Sequence, residues 1–255
     1  EVIFAQPTFA EYEFAATIMG AKCVVVPVID FKHDLKAMLA AINEKTKLLY
    51  ICNPNNPTGS IVSGEEIKDF MDQIPDHVLV IFDEAYYEYV ENASYQSGLS
   101  YVLEGRNAIV LRTFSKIYGL AALRVGYALT TPEIASAIQR VTEPFNVNMM
   151  AQIGATAAID DKEHVAKSQK LNAQGKKYLY SEFTKMGLQY IETDANFIFV
   201  DTGRDCREVF NQLLRQGVII RTGDIFGYPT FIRVTIGTME DNQRFITSLK
   251  HVLKG

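Results

Sequence analysis

A chain of 255 residues, 48% hydrophobic and 22% charged, is long enough for a large core or two domains and has the balance of an ordinary soluble globular protein. Its 25 lysines and arginines are outnumbered by 30 aspartates and glutamates, a formal net charge of −5 that disfavours nucleic acid as a partner. No apolar run approaches the roughly 20 residues of a membrane span, and no signal-peptide pattern opens the chain, so no membrane partner and a cytoplasmic location are expected.

The first residues, Glu1-Val2-Ile3-Phe4-Ala5, enter apolar sequence without a leading polar segment, which suggests that an N-terminal portion precedes them. Cys23 to Val28 is a continuous apolar, β-branched run and reads as a buried strand. Cys23, Cys52 and Cys206 are odd in number and widely spaced, without a disulfide framework or a zinc spacing; free thiols in a reducing compartment and no metal are expected. Leu35, Met38, Leu39 and Ile42 give one helix face to the segment Asp34 to Asn43.

Lys47 to Cys52 is a second buried strand, running into Asn53-Pro54-Asn55-Asn56-Pro57-Thr58-Gly59, which two prolines and a glycine make a loop. Ser63 and Glu66 form a capping box for a helix through Gln73. Strands follow at Val78 to Phe82, Ala108 to Arg112 and Arg124 to Leu129. Apolar strands alternating with helices indicate a parallel sheet covered on both faces.

From Pro132 the pattern turns helical: Pro132 to Val141, Asn148 to Ile159, and a long helix from about Glu163 to Met186. A strand at Phe197 to Asp201, a helix at Asp205 to Gln216, strands at Val218 to Arg221 and Phe231 to Ile236, and a helix from Glu240 complete a small α+β unit. The expected division is a large domain over 1–160 and a small one over 161–255.

Three candidate residues follow the carboxyl ends of predicted strands, the edge at which open α/β sheets bind ligands: Asn56, Asp83 and Lys116. Lys116 stands among the hydroxyls of Thr113 and Ser115, with Arg124 eight positions on. That company suits a lysine that forms a Schiff base with pyridoxal phosphate, whose phosphate needs donors beside the aldehyde. Asp83 closes an apolar strand, where a helix N-cap is the ordinary use of an aspartate. Against a pyridine nitrogen, its carboxylate would instead keep that nitrogen protonated so that the ring accepts electrons. Tyr86 and one amide of the Asn55-Asn56 pair are suited to donate to the ring's phenolate oxygen, lowering the pKa of the neighbouring imine. Tyr87 and Tyr89 read as core. Arg124 offers a bidentate phosphate contact, and Arg233, inside the apolar run Phe231 to Ile236, needs an anion or an acid to offset its burial.

Asn56-Pro57-Thr58-Gly59, Asp83-Glu84-Ala85-Tyr86 and Ser115-Lys116 with the Gly119-Leu120-Ala121 and Leu123-Arg124-Val125-Gly126 that follow, in this order, resemble the fold-type-I pyridoxal-phosphate aminotransferases. The fuller wording, with Arg112-Thr113-Phe114 before Ser115 and the tail Arg233-Val234-Thr235-Ile236-Gly237-Thr238, is similar to the histidinol-phosphate aminotransferase branch of that family, and the resemblance runs the length of the chain.

The resemblance implies an α/β fold with a mostly parallel central sheet sandwiched by helices, a smaller α+β C-terminal domain, and a homodimer. It makes Lys116 the Schiff-base lysine, sets Asp83 at the pyridinium nitrogen and Tyr86 and Asn56 at the phenolate, and gives the phosphate to Thr113, Ser115 and Arg124. Phe9 falls where the family stacks an aromatic on the ring, usually tyrosine; Arg233 and Arg221 match its substrate-anion arginines. The implied reaction is ping-pong transfer of the amino group of L-histidinol phosphate to 2-oxoglutarate, giving glutamate, in histidine biosynthesis. Alternatives on the same fold are an aromatic-amino-acid aminotransferase, a phosphothreonine decarboxylase, and the sensor domain of a transcription regulator. The family's Gly-Asn-Gly-Ser-type phosphate loop and N-terminal tyrosine, which would lie upstream of Glu1, are not in this sequence.

Overall fold

The computed structural model describes residues Glu1 to Lys254; Gly255, the end of the expected small domain, lies outside the described residues. In chain order, β1 (Val2–Gln6), α1 (Glu11–Ile18), β2 (Cys23–Pro27), α2 (Leu35–Ala40), β3 (Leu48–Cys52), α3 (Gly64–Met71), β4 (Leu79–Asp83), α4 (Leu99–Leu103), β5 (Ala108–Thr113) and β6 (Gly126–Thr130) build the first layer system. They are followed by α5 (Pro132–Gln139), α6 (Met149–Ile159), α7 (Lys162–Lys185), β7 (Tyr190–Ile191), β8 (Phe197–Asp201), α8 (Cys206–Arg215), β9 (Arg221–Thr222), β10 (Phe231–Thr235) and α9 (Met239–Lys254).

The first six strands form one sheet in the order β2-β1-β3-β4-β5-β6, parallel except for the β5–β6 pair. Apolar runs buried on both sides are what such a sheet requires. On one face Ile3, Leu49, Ile51, Val80, Phe82 and Val110 pack against Leu35 and Met38 of α2 and Ile67, Phe70 and Met71 of α3. On the other, Val2, Phe4 and Cys52 meet Tyr12 and Ala16 of α1. Phe82 is 1% exposed, and burying a side chain of that size contributes about 1.5–3 kcal/mol. Helix α3 starts as expected: Ser63 Oγ accepts from the Glu66 N–H at 3.2 Å while Glu66 accepts from the Ser63 N–H at 2.7 Å.

Three expectations need correction. The run at Cys23 to Val28 is a strand over Cys23–Pro27 but not a buried one: it forms the sheet edge, and Val25 is 38% exposed. The strand after Lys116 runs Gly126–Thr130, not Arg124 to Leu129, and is antiparallel to β5. Val218 to Arg221 contributes only its last residue to the two-residue β9, with Thr222.

A second sheet, β7-β8-β10-β9, is antiparallel throughout. Side chains alternate along its strands. Ile198 and Val200 of β8 and Ile232 and Val234 of β10 meet Leu179 and Phe183 of α7, Val209 of α8 and Leu249 of α9. The opposite side of these strands turns to the large sheet, where Phe197 packs edge-on against Tyr86 with ring centroids 5.1 Å apart. Gly59 makes the closest seam. Its φ of +72° suits glycine, a Cβ there would run into the Thr193 side chain, and its carbonyl accepts from the Asp194 N–H at 2.8 Å.

Candidate active site

The strand order reverses between β2-β1 and β3 onward, and the crevice at the carboxyl ends of strands near such a reversal is the ligand position of open α/β sheets. Here Phe9 follows β1, Asn56 follows β3, Asp83 ends β4, and Lys116 follows β5.

Asp83 is half-buried, and each of its oxygens is held: Tyr12 Oη donates to Oδ2 at 2.6 Å and the Ala85 N–H to Oδ1 at 3.1 Å. Burial pushes its pKa up, against the opposing pull of these two donors and of the Lys116 charge. Tyr12 was not among the sequence candidates. It is 71 positions from Asp83 in sequence, on a helix that apolar spacing did not reveal, and only the juxtaposition of α1 and β4 links them. Tyr12 is also stacked on Tyr50 at 4.4 Å and edge-on to Phe9 at 5.7 Å.

Lys116 Nζ lies 5.2 Å from the centre of the Tyr86 ring. Burial lowers its pKa, the charges of Arg233 and Arg124 add to that, and Asp83 opposes it, so the amine is biased toward its neutral, nucleophilic form. Tyr86 is 5% exposed, and burial drives its pKa upward, keeping the phenol a donor. Thr113 Oγ1 accepts from the Ser115 N–H at 3.0 Å, which leaves its hydroxyl hydrogen to donate. Arg124 does not begin a strand. It caps the short 3-10 turn Ala121–Leu123 with a φ of +53°, is exposed, and spends one guanidinium N–H on the Ala121 carbonyl at 2.7 Å.

The two asparagines of the Pro-rich loop diverge. Asn55 is 1% exposed and turned into the protein, whereas the Oδ1 of Asn56 accepts from Nη1 of Arg233. Arg233 sits on the site-facing side of β10, its guanidinium 4.7 Å from the centre of the Phe197 ring, with Nε buried and unpartnered. Burial works against its charge. Arg221 is its cross-strand neighbour on β9 and is exposed. Phe9 is 40% exposed at the mouth of the crevice.

A second set escaped the sequence reading. Glu84, 1% exposed, accepts from Ser97 Oγ at 2.7 Å, the Gly98 N–H at 2.8 Å, and Nε and Nη2 of Arg112 at 3.0 and 2.8 Å. Being next in chain to Asp83 and Thr113, this pair ties the ends of β4 and β5 together. A buried Glu following a buried strand, with an arginine directly before Thr113-Phe114-Ser115, carries no periodic signal that could have found it.

A carboxylate, a phenol, an amide, an amine biased neutral, two hydroxyls and exposed or unpartnered guanidinium groups fit a planar pyridine that carries a phenolate, an aldehyde and a phosphate. The unpartnered Nε of Arg233 leaves a buried donor directed at no protein acceptor. The residues present therefore fit pyridoxal phosphate with an anionic substrate.

A profile of the family described as aminotransferase class I and II matches residues 1–249. A histidinol-phosphate aminotransferase of Moorella thermoacetica is 57% identical over 254 residues, which are 99% of this chain and 66% of that protein. That of Caldicellulosiruptor saccharolyticus is 46% identical over 251 residues, 98% of this chain and 70% of that one. Among solved structures, the histidinol-phosphate aminotransferase of Sinorhizobium meliloti in complex with pyridoxal-5′-phosphate matches with a TM-score of 0.93 at 28% identity, covering 99% of this chain and 70% of that one. The chain spans about two thirds of the length of these relatives. With the profile running through both sheets and the crevice between them, the chain belongs to the class I and II aminotransferases.

Proposed function

We propose that this chain carries the chemistry of a histidinol-phosphate aminotransferase, moving the amino group of L-histidinol phosphate to 2-oxoglutarate in histidine biosynthesis with pyridoxal 5′-phosphate as cofactor. The observation that carries the reading is one crevice in which Asp83, Tyr86 and Lys116 lie opposite a half-buried arginine whose buried Nε has no partner. The identities to relatives of that name support the substrate.

When bound, pyridoxal phosphate supplies an electrophilic aldehyde and a ring that accepts the electrons of the substrate Cα–H bond. Asp83, fixed by Tyr12 and the Ala85 N–H, holds the proton at the ring nitrogen. Tyr86 and Asn56 would donate to the phenolate oxygen, Thr113, Ser115 and Arg124 would hold the phosphate, and Phe9 would pack on the ring. Lys116 Nζ would hold the cofactor's aldehyde carbon and, as the free amine, would take the proton from the substrate Cα. Arg233, with Arg221 beside it, binds the anion of either substrate: a phosphate in one half-reaction, a carboxylate in the other.

The same reading divides the protein into a large cofactor-binding domain over 1–160 and a small domain from 161, and makes it a cytoplasmic homodimer. Exposed Phe14 and Ile18 on α1 and Met149, Met150 and Ile153 on α6 are surfaces that a second subunit would cover. No helix among the described residues is long and apolar enough to cross a membrane.

Borohydride reduction of the holoenzyme followed by peptide mapping is expected to place the cofactor on Lys116, and a label on another lysine overturns the assignment. Turnover of histidinol phosphate should exceed that of phenylalanine, with no CO₂ released from phosphothreonine. The reverse ranking, or CO₂ release, overturns the substrate.

A further inference from the structure

Asn55 is 1% exposed, and all four hydrogen-bonding positions of its side chain are taken. Its Nδ2 donates to the Pro7 carbonyl at 3.1 Å and to Thr58 Oγ1 at 3.0 Å. Its Oδ1 accepts from Thr8 Oγ1 at 2.8 Å and meets His33 Nε2 at 3.2 Å. Its backbone is held as well, the N–H by the Ser60 carbonyl at 2.9 Å and the carbonyl by the Gly59 N–H at 2.7 Å.

The chemistry of the partners fixes the amide's orientation. Pro7 O can only accept, so Nδ2 must face it, and Oδ1 must then take a hydrogen from His33. His33 therefore carries its proton on Nε2. The consequence is visible on the other side of the ring, where Nδ1 is buried without a partner. Burial holds His33 neutral, its pKa pulled down to about 4.

The three arms of this knot end beside three residues of the crevice. Thr8 precedes Phe9, and Asn55 precedes Asn56. Thr58 Oγ1 lies 2.8 Å from Ser60 Oγ, which donates to the Phe31 carbonyl at 2.5 Å. The Phe31 ring packs 5.8 Å from that of Phe231, two residues before Arg233 on β10.

We propose that Asn55 is a positioning residue: by saturating its amide between the Pro7-Thr8 segment, His33 and Thr58, it sets Phe9 and Asn56 as one rigid wall of the cofactor site. The proposal rests on the reading of the crevice as a pyridoxal-phosphate site. A buried polar knot of this kind is worth building only where all members are satisfied, because a single lost partner strands the others in a dry environment. The unpaired Nδ1 of His33 is the one such loss the knot accepts.

The test compares Asn55→Asp and Thr8→Val with the parent protein. Asn55→Asp keeps the acceptor for Thr8 and His33 but removes both donors and points an anion at the Pro7 carbonyl. Thr8→Val removes one donor at nearly constant volume and serves where Asn55→Asp does not fold. Both are expected to weaken cofactor binding, by about tenfold or more for Asn55→Asp and severalfold for Thr8→Val, as follows from the loss of buried hydrogen bonds. Both should reduce the visible circular dichroism of the bound cofactor and lower kcat more than they raise KM for histidinol phosphate. A residue that only stabilises the fold would lower the melting temperature of apo and holo forms equally and leave the cofactor's affinity and dichroism unchanged; that result overturns the proposal. A parent protein that binds no pyridoxal phosphate overturns the reading of the site itself, and the two failures are thereby told apart.

Discussion

Two arginines, each in a strand and each lying over an aromatic ring, are treated in opposite ways by this protein. Arg112 on β5 lies 3.8 Å from the centre of the Tyr87 ring, donates twice to Glu84 and once to Ser97 Oγ at 3.1 Å. Arg233 on β10 lies over Phe197 and meets only an amide oxygen, with Nε buried and empty-handed; among the described residues no carboxylate pairs with it. A buried cation that is fully matched holds framework together. One left short of an acceptor is suited to receive an anion, since burying its donor without one opposes folding.

The largest effect expected from breaking this contrast is on stability. Glu84→Ala strands Arg112, whose side chain is 11% exposed, and should cost about 3–5 kcal/mol of unfolding free energy in urea. Arg233→Ala, removing a charge that has no counter-ion, should cost less than about 1 kcal/mol in the same titration. Equal losses would erase the distinction.

Function should answer in the opposite sense. Arg233→Ala is expected to weaken both half-reactions by about 2–5 kcal/mol, the range for an anion left buried and unpaired. Arg233→Lys should recover only part, because a point charge does not reproduce the guanidinium fork. Single-turnover kinetics with histidinol phosphate and separately with glutamate measure this; a loss confined to one substrate shows that the two anions do not share the site.

Asp83 stands between the two cases, each oxygen held once and lone pairs left over. Asp83→Ala should still bind the cofactor but lose transamination by about 10²-fold, the scale of removing one preorganised electrostatic partner. Near-normal turnover would make Asp83 a backbone cap only.

The smallest effect is a pH dependence beside Arg112. Glu84 takes the guanidinium's hydrogen bonds, and burial pushes the neighbouring Glu88 up to about 7, against a weaker pull from Arg112. The folded protein then holds a proton that the unfolded chain releases near pH 4.5, so this contribution is fully present below that value and is lost as pH rises toward 7. Urea titrations should show stability falling across that window and the slope flattening in Glu88→Gln. An unchanged slope would mean that Glu88 is solvated.

Much of the crevice was legible in the chain. Lys116, Asp83 and Asn56 stand at the ends of apolar runs, and such runs become buried parallel strands whose carboxyl ends share one edge. The capped start of α3 was equally readable, because capping is settled within a few residues. The early β1 and α1 escaped: α1 buries only Tyr12 and Ala16 and has no side-chain cap, so neither periodicity nor a start signal marks the pair. Cys23 to Pro27 misled because an apolar, β-branched composition does not say which strand becomes the sheet edge.

What the sequence determined by itself was therefore the local chemistry: which residue types follow which strands, and that they suit a pyridoxal-phosphate aminotransferase. Tertiary structure alone decided that Tyr12 holds Asp83 from 71 positions away, that Arg233 reaches Asn56 across 177, and that Asn55 is tied to the Pro7-Thr8 segment and His33. Local sequence sets backbone preference and burial pattern, but a side chain's partners depend on which strands lie side by side. That choice is made by packing the whole core, where no short window of sequence holds both members of a pair.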